Sequence, residues 1–107
     1  MKIKTKTALF IAPIIILSAG GAFAADAAAN WNQHCASCHG KDGSGNTMMG
    51  KKLDAKDYRD PKVQAEFTDA QAMQLIKEGK DKMKPFKGKL SDDEIKALVA
   101  YVRTFKK

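Results

Sequence analysis

Five consecutive residues, Cys35-Ala36-Ser37-Cys38-His39, constrain this chain more than anything else in it. Residues three apart on a helical turn lie on one face. Both sulfurs can therefore bond the same edge of a flat ligand, while the imidazole that follows reaches beneath its centre. The rest of the chain needs such a ligand. After the first 24 residues it holds eleven alanines but only nine Leu, Ile or Val residues, with six aromatics: Trp31, Tyr58, Phe67, Phe86, Tyr101 and Phe105. Apolar burial yields about 25 cal/mol per Å², to which alanine adds little. A domain of about 80 residues buries a modest share of its surface and ordinarily needs a staple.

A C-x-x-C-H run is the attachment pattern of a c-type haem, with Cys35 and Cys38 as thioether donors and His39 as proximal iron ligand. Competing uses of these residues fit less well. A thioredoxin-like site needs a βαβ surround, and no strand pattern flanks the motif. A structural zinc site draws four ligands from two separated clusters, whereas His34, Cys35, Cys38 and His39 crowd into six positions. One disulfide would suit an oxidising compartment but leaves His39 and the thin core without a role.

The first 24 residues read as an export signal. Lys2, Lys4 and Lys6 precede an uncharged apolar run from Ala8 to Leu17, and Ala22-Phe23-Ala24 supplies a small-x-small cleavage pattern. Leu9 to Ala19 is short for a membrane-spanning helix of about 20 residues, and Pro13 interrupts it. The mature chain is then 25–107, with no stable membrane insertion once the signal is cleaved. The formal charge of +7 loses three lysines and becomes +4, sixteen basic against twelve acidic residues. An exported chain of that charge has no dedicated face for nucleic acid.

Local signals organise the remainder into helices. Asp26 is a good N-cap for a helix running through Trp31 into the Cys-His turn. Gly40, Gly43, Gly45 and Gly50 mark a loop. Asp60-Pro61 reads as a cap with proline at the first helical position, giving one or two turns over 61–66. Thr68-x-x-Gln71 and Ser91-x-x-Glu94 are capping boxes. The first opens a helix that Gly79 ends; the second opens one with Ile95, Leu98, Val99 and Val102 at helical spacing. No segment alternates as a strand, so the expected class is all-α.

Three segments in this order resemble the class I monohaem cytochromes c: Cys35-Ala36-Ser37-Cys38-His39-Gly40, then Gly79-Lys80-Asp81-Lys82-Met83-Lys84-Pro85-Phe86, then the run from Leu90 to Phe105. The resemblance covers 25–107. It implies the cytochrome c fold, three to five short helices wrapped around one covalent haem c, and a soluble periplasmic electron carrier rather than an enzyme. It also implies that the first and last helices cross beside the haem, with Ala27 and Trp31 against Leu98 and Tyr101.

The sixth ligand needs its own argument. The mature chain offers Met48, Met49, Met73 and Met83. Met73 falls inside an amphipathic helix, where methionine usually fills core, and Met48 and Met49 read as pocket lining. Met83 occupies the family's distal-ligand position, which implies His/Met ligation; another methionine, a lysine or an open site are the alternatives. Two features depart from the family pattern. Lys84 separates Met83 from Pro85, and no proline stands around Met49, Gly50 and Lys51, where relatives often place one whose carbonyl receives the ligand imidazole. Another carbonyl would have to serve. Tyr58 and Arg59 are weaker candidates for the haem propionates, and His34 reads as a surface or packing residue.

A haem with both axial positions filled passes single electrons. Lys80, Lys82, Lys84, Lys87 and Lys89 gather around Met83 and would steer acidic redox partners. Two other functions fit the same residues: a haem-bearing subunit of a larger oxidoreductase, and a haem sensor or peroxidase with a displaceable distal ligand.

Overall fold

The computed structural model describes residues 26–107; the expected signal segment lies outside the described residues. These residues form five helices and no strand beyond isolated bridges, in the expected all-α class. Helix α1 covers 26–39, with Asp26 already helical rather than flanking it. Then come α2 (Met48–Lys52), α3 (Pro61–Gln64), α4 (Asp69–Glu78) and α5 (Asp92–Arg103). None is long and apolar enough to cross a membrane.

Caps act where the side chains predict them. Asp60 accepts from the Lys62 amide, with Pro61 beginning α3. Both capping boxes are closed reciprocally, Thr68 with Gln71 and Ser91 with Glu94. Ser91→Ala is expected to lower stability by about 1 kcal/mol, measured by urea unfolding of the mature protein; an unchanged midpoint would mean that packing alone sets the start of α5.

Two features were not anticipated. Residues Trp31–Cys35 form a π-turn inside α1, with the Ala36 amide bonded to the Trp31 carbonyl. Such bulges are rare and frequent at functional sites. Helix α2 is the other: Thr47, a residue type suited to capping, accepts from the Gly50 amide and starts it within the stretch expected to be loop.

The core is small. Trp31, Leu90, Ile95, Leu98 and Val102 form the buried cluster, and only Ile95 and Leu98 are almost fully enclosed. Trp31 joins α1 to α5 as the resemblance implies. Its ring lies 5.9 Å from Tyr101 and 5.0 Å from Phe105, and it packs with Leu98, while Ala27 is also buried. Asn30 adds a 3.1 Å bond to Glu94 across the same crossing.

A polar knot closes the C-terminal end of α5. Gln64 is buried, and its Nε2 donates to the carbonyls of Tyr58 (2.7 Å) and Val102 (2.9 Å). Arg103 donates to the Gln64 carbonyl and side chain, to the Phe67 carbonyl and to Asp69. Its guanidinium also stands 4.2 Å from the Phe67 ring centroid. Buried polar groups persist where they are fully bonded, and this knot fixes the chain that carries Tyr58 and Phe67.

Candidate functional site

Cys35, Cys38 and His39 arise together on the last turns of α1. Both cysteines are free and half-buried. Burial, reinforced by the neighbouring Cys38, pushes the Cys35 thiol up to about 11, so the sulfur is a protonated thiol at neutral pH. Burial also holds the His39 imidazole below its ordinary value. That leaves it neutral, the form in which histidine binds a metal. The ring lies 5.7 Å from Trp31 and 5.4 Å from Tyr58, at 37° to each. Tyr58 is therefore packed against the site rather than solvated, and burial raises its phenol above the usual range. Arg59, by contrast, is engaged by Asp57 through two bonds of 2.9 Å.

The loop behind the cysteines is bonded tightly to them. Trp31 Nε1 donates to the Gly40 carbonyl at 2.9 Å. The Gly45 amide bonds to the His39 carbonyl at 2.7 Å, and Thr47 Oγ1 donates to the Cys38 carbonyl at 2.8 Å. Gly50 permits this approach: a Cβ there would overlap the carbonyl oxygens of Cys38 and Gly45. In α2 the Met49 carbonyl accepts from Leu53 and that of Gly50 from Ala55. The carbonyls of this stretch thus serve its own turns, and buried His39 Nδ1 meets no protein acceptor.

Met83 lies apart in sequence, on the loop between α4 and α5, and is half-buried. Its backbone closes a tight turn with Lys80 through bonds of 3.1 and 2.9 Å, with Asp81 in the left-handed region at φ 52°. Gly79 starts this loop at φ 71°, where a Cβ would come 2.5 Å from the Met83 carbonyl. The Phe86 and Lys87 amides bond back to Ile76 and Lys77 at the end of α4. Met73, in contrast, packs against the buried cluster, as a core-filling methionine should. Met48 and Met49, expected as pocket lining, stand on α2 with 87% and 43% of their surface exposed. His34 sets its ring edge-on to Phe86 at 5.5 Å. All five lysines from Lys80 to Lys89 are exposed, and none joins the ion pairs seen among the described residues.

The family described as "Cytochrome C oxidase, cbb3-type, subunit III" matches residues 22–102. The chain belongs to this family of small monohaem cytochromes c. Among solved structures, it is similar to the KustC0563 c-type cytochrome, with 43% identity and a TM-score of 0.72 over 77% of this chain and 99% of that one. A Tyr-to-Phe mutant of that protein matches at 43% identity and a TM-score of 0.69, over 76% and 99% of the two chains. No curated protein sequence matches significantly.

The cytochrome is thus an electron carrier by family, and its residues fit a haem. Free thiols sit three apart beside a half-buried imidazole packed against Trp31 and Tyr58, while the carbonyl expected to receive its Nδ1 is not found among the described residues. Half-buried Tyr58, Phe67, Met73, Ile76 and Phe86 pack around a core that is itself too small to cover them. Among the described residues no three His, Cys, Asp or Glu side chains converge as a metal site.

Proposed function

We propose that the mature chain, 25–107, is a soluble periplasmic carrier of single electrons, holding one haem c through thioethers from Cys35 and Cys38 with His39 and Met83 as axial ligands. The observation that carries this reading is the placement of His39: a half-buried ring packed against Trp31 and Tyr58, one residue beyond the second of two free cysteines. When bound, the haem supplies a reversible one-electron couple. The protein's part is to hold and shield. Trp31 and Tyr58 flank the His39 ring, while Phe67, Ile76 and Phe86 offer apolar surface that excludes water. The short turn from Lys80 to Met83 supports a thioether donor on a loop anchored at both Ile76 and Lys77. A methionine opposite histidine favours a raised potential.

The test is a visible and near-infrared spectrum of the exported protein, oxidised and reduced. Met83→Ala is expected to abolish the methionine-to-iron charge-transfer band, and Met73→Ala to retain it. A Met83→Ala protein with an unchanged spectrum would overturn the assignment. Ready binding of carbon monoxide by the unaltered reduced protein would instead favour a displaceable ligand.

The five exposed lysines around Met83 support electrostatic steering of acidic partners, with rates that fall as ionic strength rises. The family description supports a second reading, a haem-bearing subunit of a larger oxidoreductase. Gel filtration of the native protein separates the two: a monomer supports the free carrier, and co-elution with an oxidoreductase supports the subunit.

A further inference from the structure

We propose that Gln64 is a positioning residue for electron transfer: it holds the mounts of both aromatic rings that flank His39, and through them keeps the reduction potential raised. The inference rests on the haem reading above. Trp31 and Tyr58 stand 5.7 and 5.4 Å from the His39 ring, each at 37°, yet they arrive on separate segments. Trp31 belongs to α1, and Tyr58 to the loop that precedes α3. Gln64, at the end of α3 and 6% exposed, ties the two together. Its Nε2 donates to the Tyr58 carbonyl at 2.7 Å, and the Tyr58 amide donates to the Gly43 carbonyl at 2.8 Å. The backbone under this ring is therefore pinned on both sides. The same Nε2 donates to the Val102 carbonyl at 2.9 Å, which also receives the Phe105 amide at 3.1 Å. Phe105 in turn packs 5.0 Å from Trp31.

Glutamine suits this place because one amide both gives and receives hydrogen bonds. Arg103 can only donate, and its Nη1 meets Gln64 Oε1 at 2.8 Å. That contact turns the amide's NH2 group toward the two carbonyls. A leucine would fill nearly the same space but leave the Tyr58 carbonyl without its donor. The consequence falls on the iron site. The apolar shell around a metal site controls solvent access and local dielectric, and hence the potential. Oxidised haem carries one more positive charge than reduced haem, so water admitted beside His39 favours the oxidised form. A Tyr58 ring held in place excludes that water, and a loosened one admits it. The two rings also limit rotation of the imidazole between them.

Spectroelectrochemical titration of the exported, haem-loaded protein provides the test. At a fixed applied potential, Gln64→Leu is expected to raise the oxidised-to-reduced ratio about tenfold, the lower end of what losing an outer partner of a metal site costs. That is a fall in midpoint potential of about 59 mV for one electron. Tyr58→Leu should give a similar fall, and the double variant no more than either alone, because the two act as one unit. Ser91→Ala, which loosens α5 at its other end, should lower stability and leave the midpoint where it was. Haem methyl proton shifts of the oxidised protein report the plane of the axial imidazole. They should move in Gln64→Leu and Tyr58→Leu but not in Ser91→Ala. An unchanged midpoint in Gln64→Leu would overturn the proposal, as would additive falls in the double variant or an equal fall in Ser91→Ala. If Gln64→Leu does not accumulate with haem, Arg103→Lys replaces it, since a lysine lacks the fork that orients the amide, and the same outcomes decide. Failure of the haem reading is distinguishable, because it shows in the spectrum of the unaltered protein before any variant is compared.

Discussion

Trp31→Ala is expected to destabilise the haem-loaded protein by about 3–5 kcal/mol, a large fraction of the roughly 5–15 kcal/mol that holds an ordinary domain. The ring is 3% exposed and joins α1 to α5 through Leu98, Tyr101 and Phe105. It also stands against His39, and its Nε1 holds the Gly40 carbonyl. Removal therefore opens a cavity at the helix crossing and frees the turn that follows the ligand histidine. Trp31→Phe separates the two contributions. It keeps much of the packing but removes one of two donors to the Gly40 carbonyl, which retains the Gly43 amide at 3.1 Å, a loss of about 0.5–1.5 kcal/mol. Denaturant unfolding followed by far-ultraviolet circular dichroism measures both variants. A Trp31→Ala protein within 1 kcal/mol of the unaltered one would refute the central role of this crossing.

Gly50→Ala is expected to be nearly as severe, and for the opposite reason. Its Cβ would meet two backbone oxygens, those of Cys38 and Gly45, rather than a flexible side chain that can move aside. Relief requires α2 to withdraw from the Cys-His turn, breaking the bond from Thr47 to the Cys38 carbonyl. Overpacking typically costs about 1–3 kcal/mol, and here the displaced atoms belong to the attachment turn. The yield of haem-loaded protein should fall with stability. Pyridine haemochrome assay of exported protein, beside thermal unfolding, checks this. Normal yield and an unchanged midpoint would show that α2 has slack the structure does not display.

Much of the helical framework is legible because its signals are local. Asp60-Pro61, Thr68-x-x-Gln71 with Gly79, and Ser91-x-x-Glu94 each satisfy orphan amides or end a helix within a few residues, so α3, α4 and α5 follow from side-chain chemistry. The π-turn escaped because no residue type marks it; it is the outcome of Trp31 packing under α5 while Cys35 to His39 remain tied to Gly40, Gly45 and Thr47. Helix α2 carried a readable sign in Thr47, hidden by the glycines on either side. Gln64 and Arg103 carry no local signal of their role, since their bonds join positions 38 and 39 apart in the chain.

Taken alone, the sequence determined the chemistry available at the site: two thiols and an imidazole in a spacing set by covalent geometry, and a composition too thin to close a core unaided. It also determined the all-α class and where the last three helices begin. Only the tertiary structure decided which groups surround that chemistry. Folding placed Tyr58 beside His39, left His39 Nδ1 without a protein acceptor, engaged Arg59 with Asp57 and turned Met48 and Met49 outward. Spacing records neighbours along one turn, whereas burial and exposure depend on where distant segments come to rest.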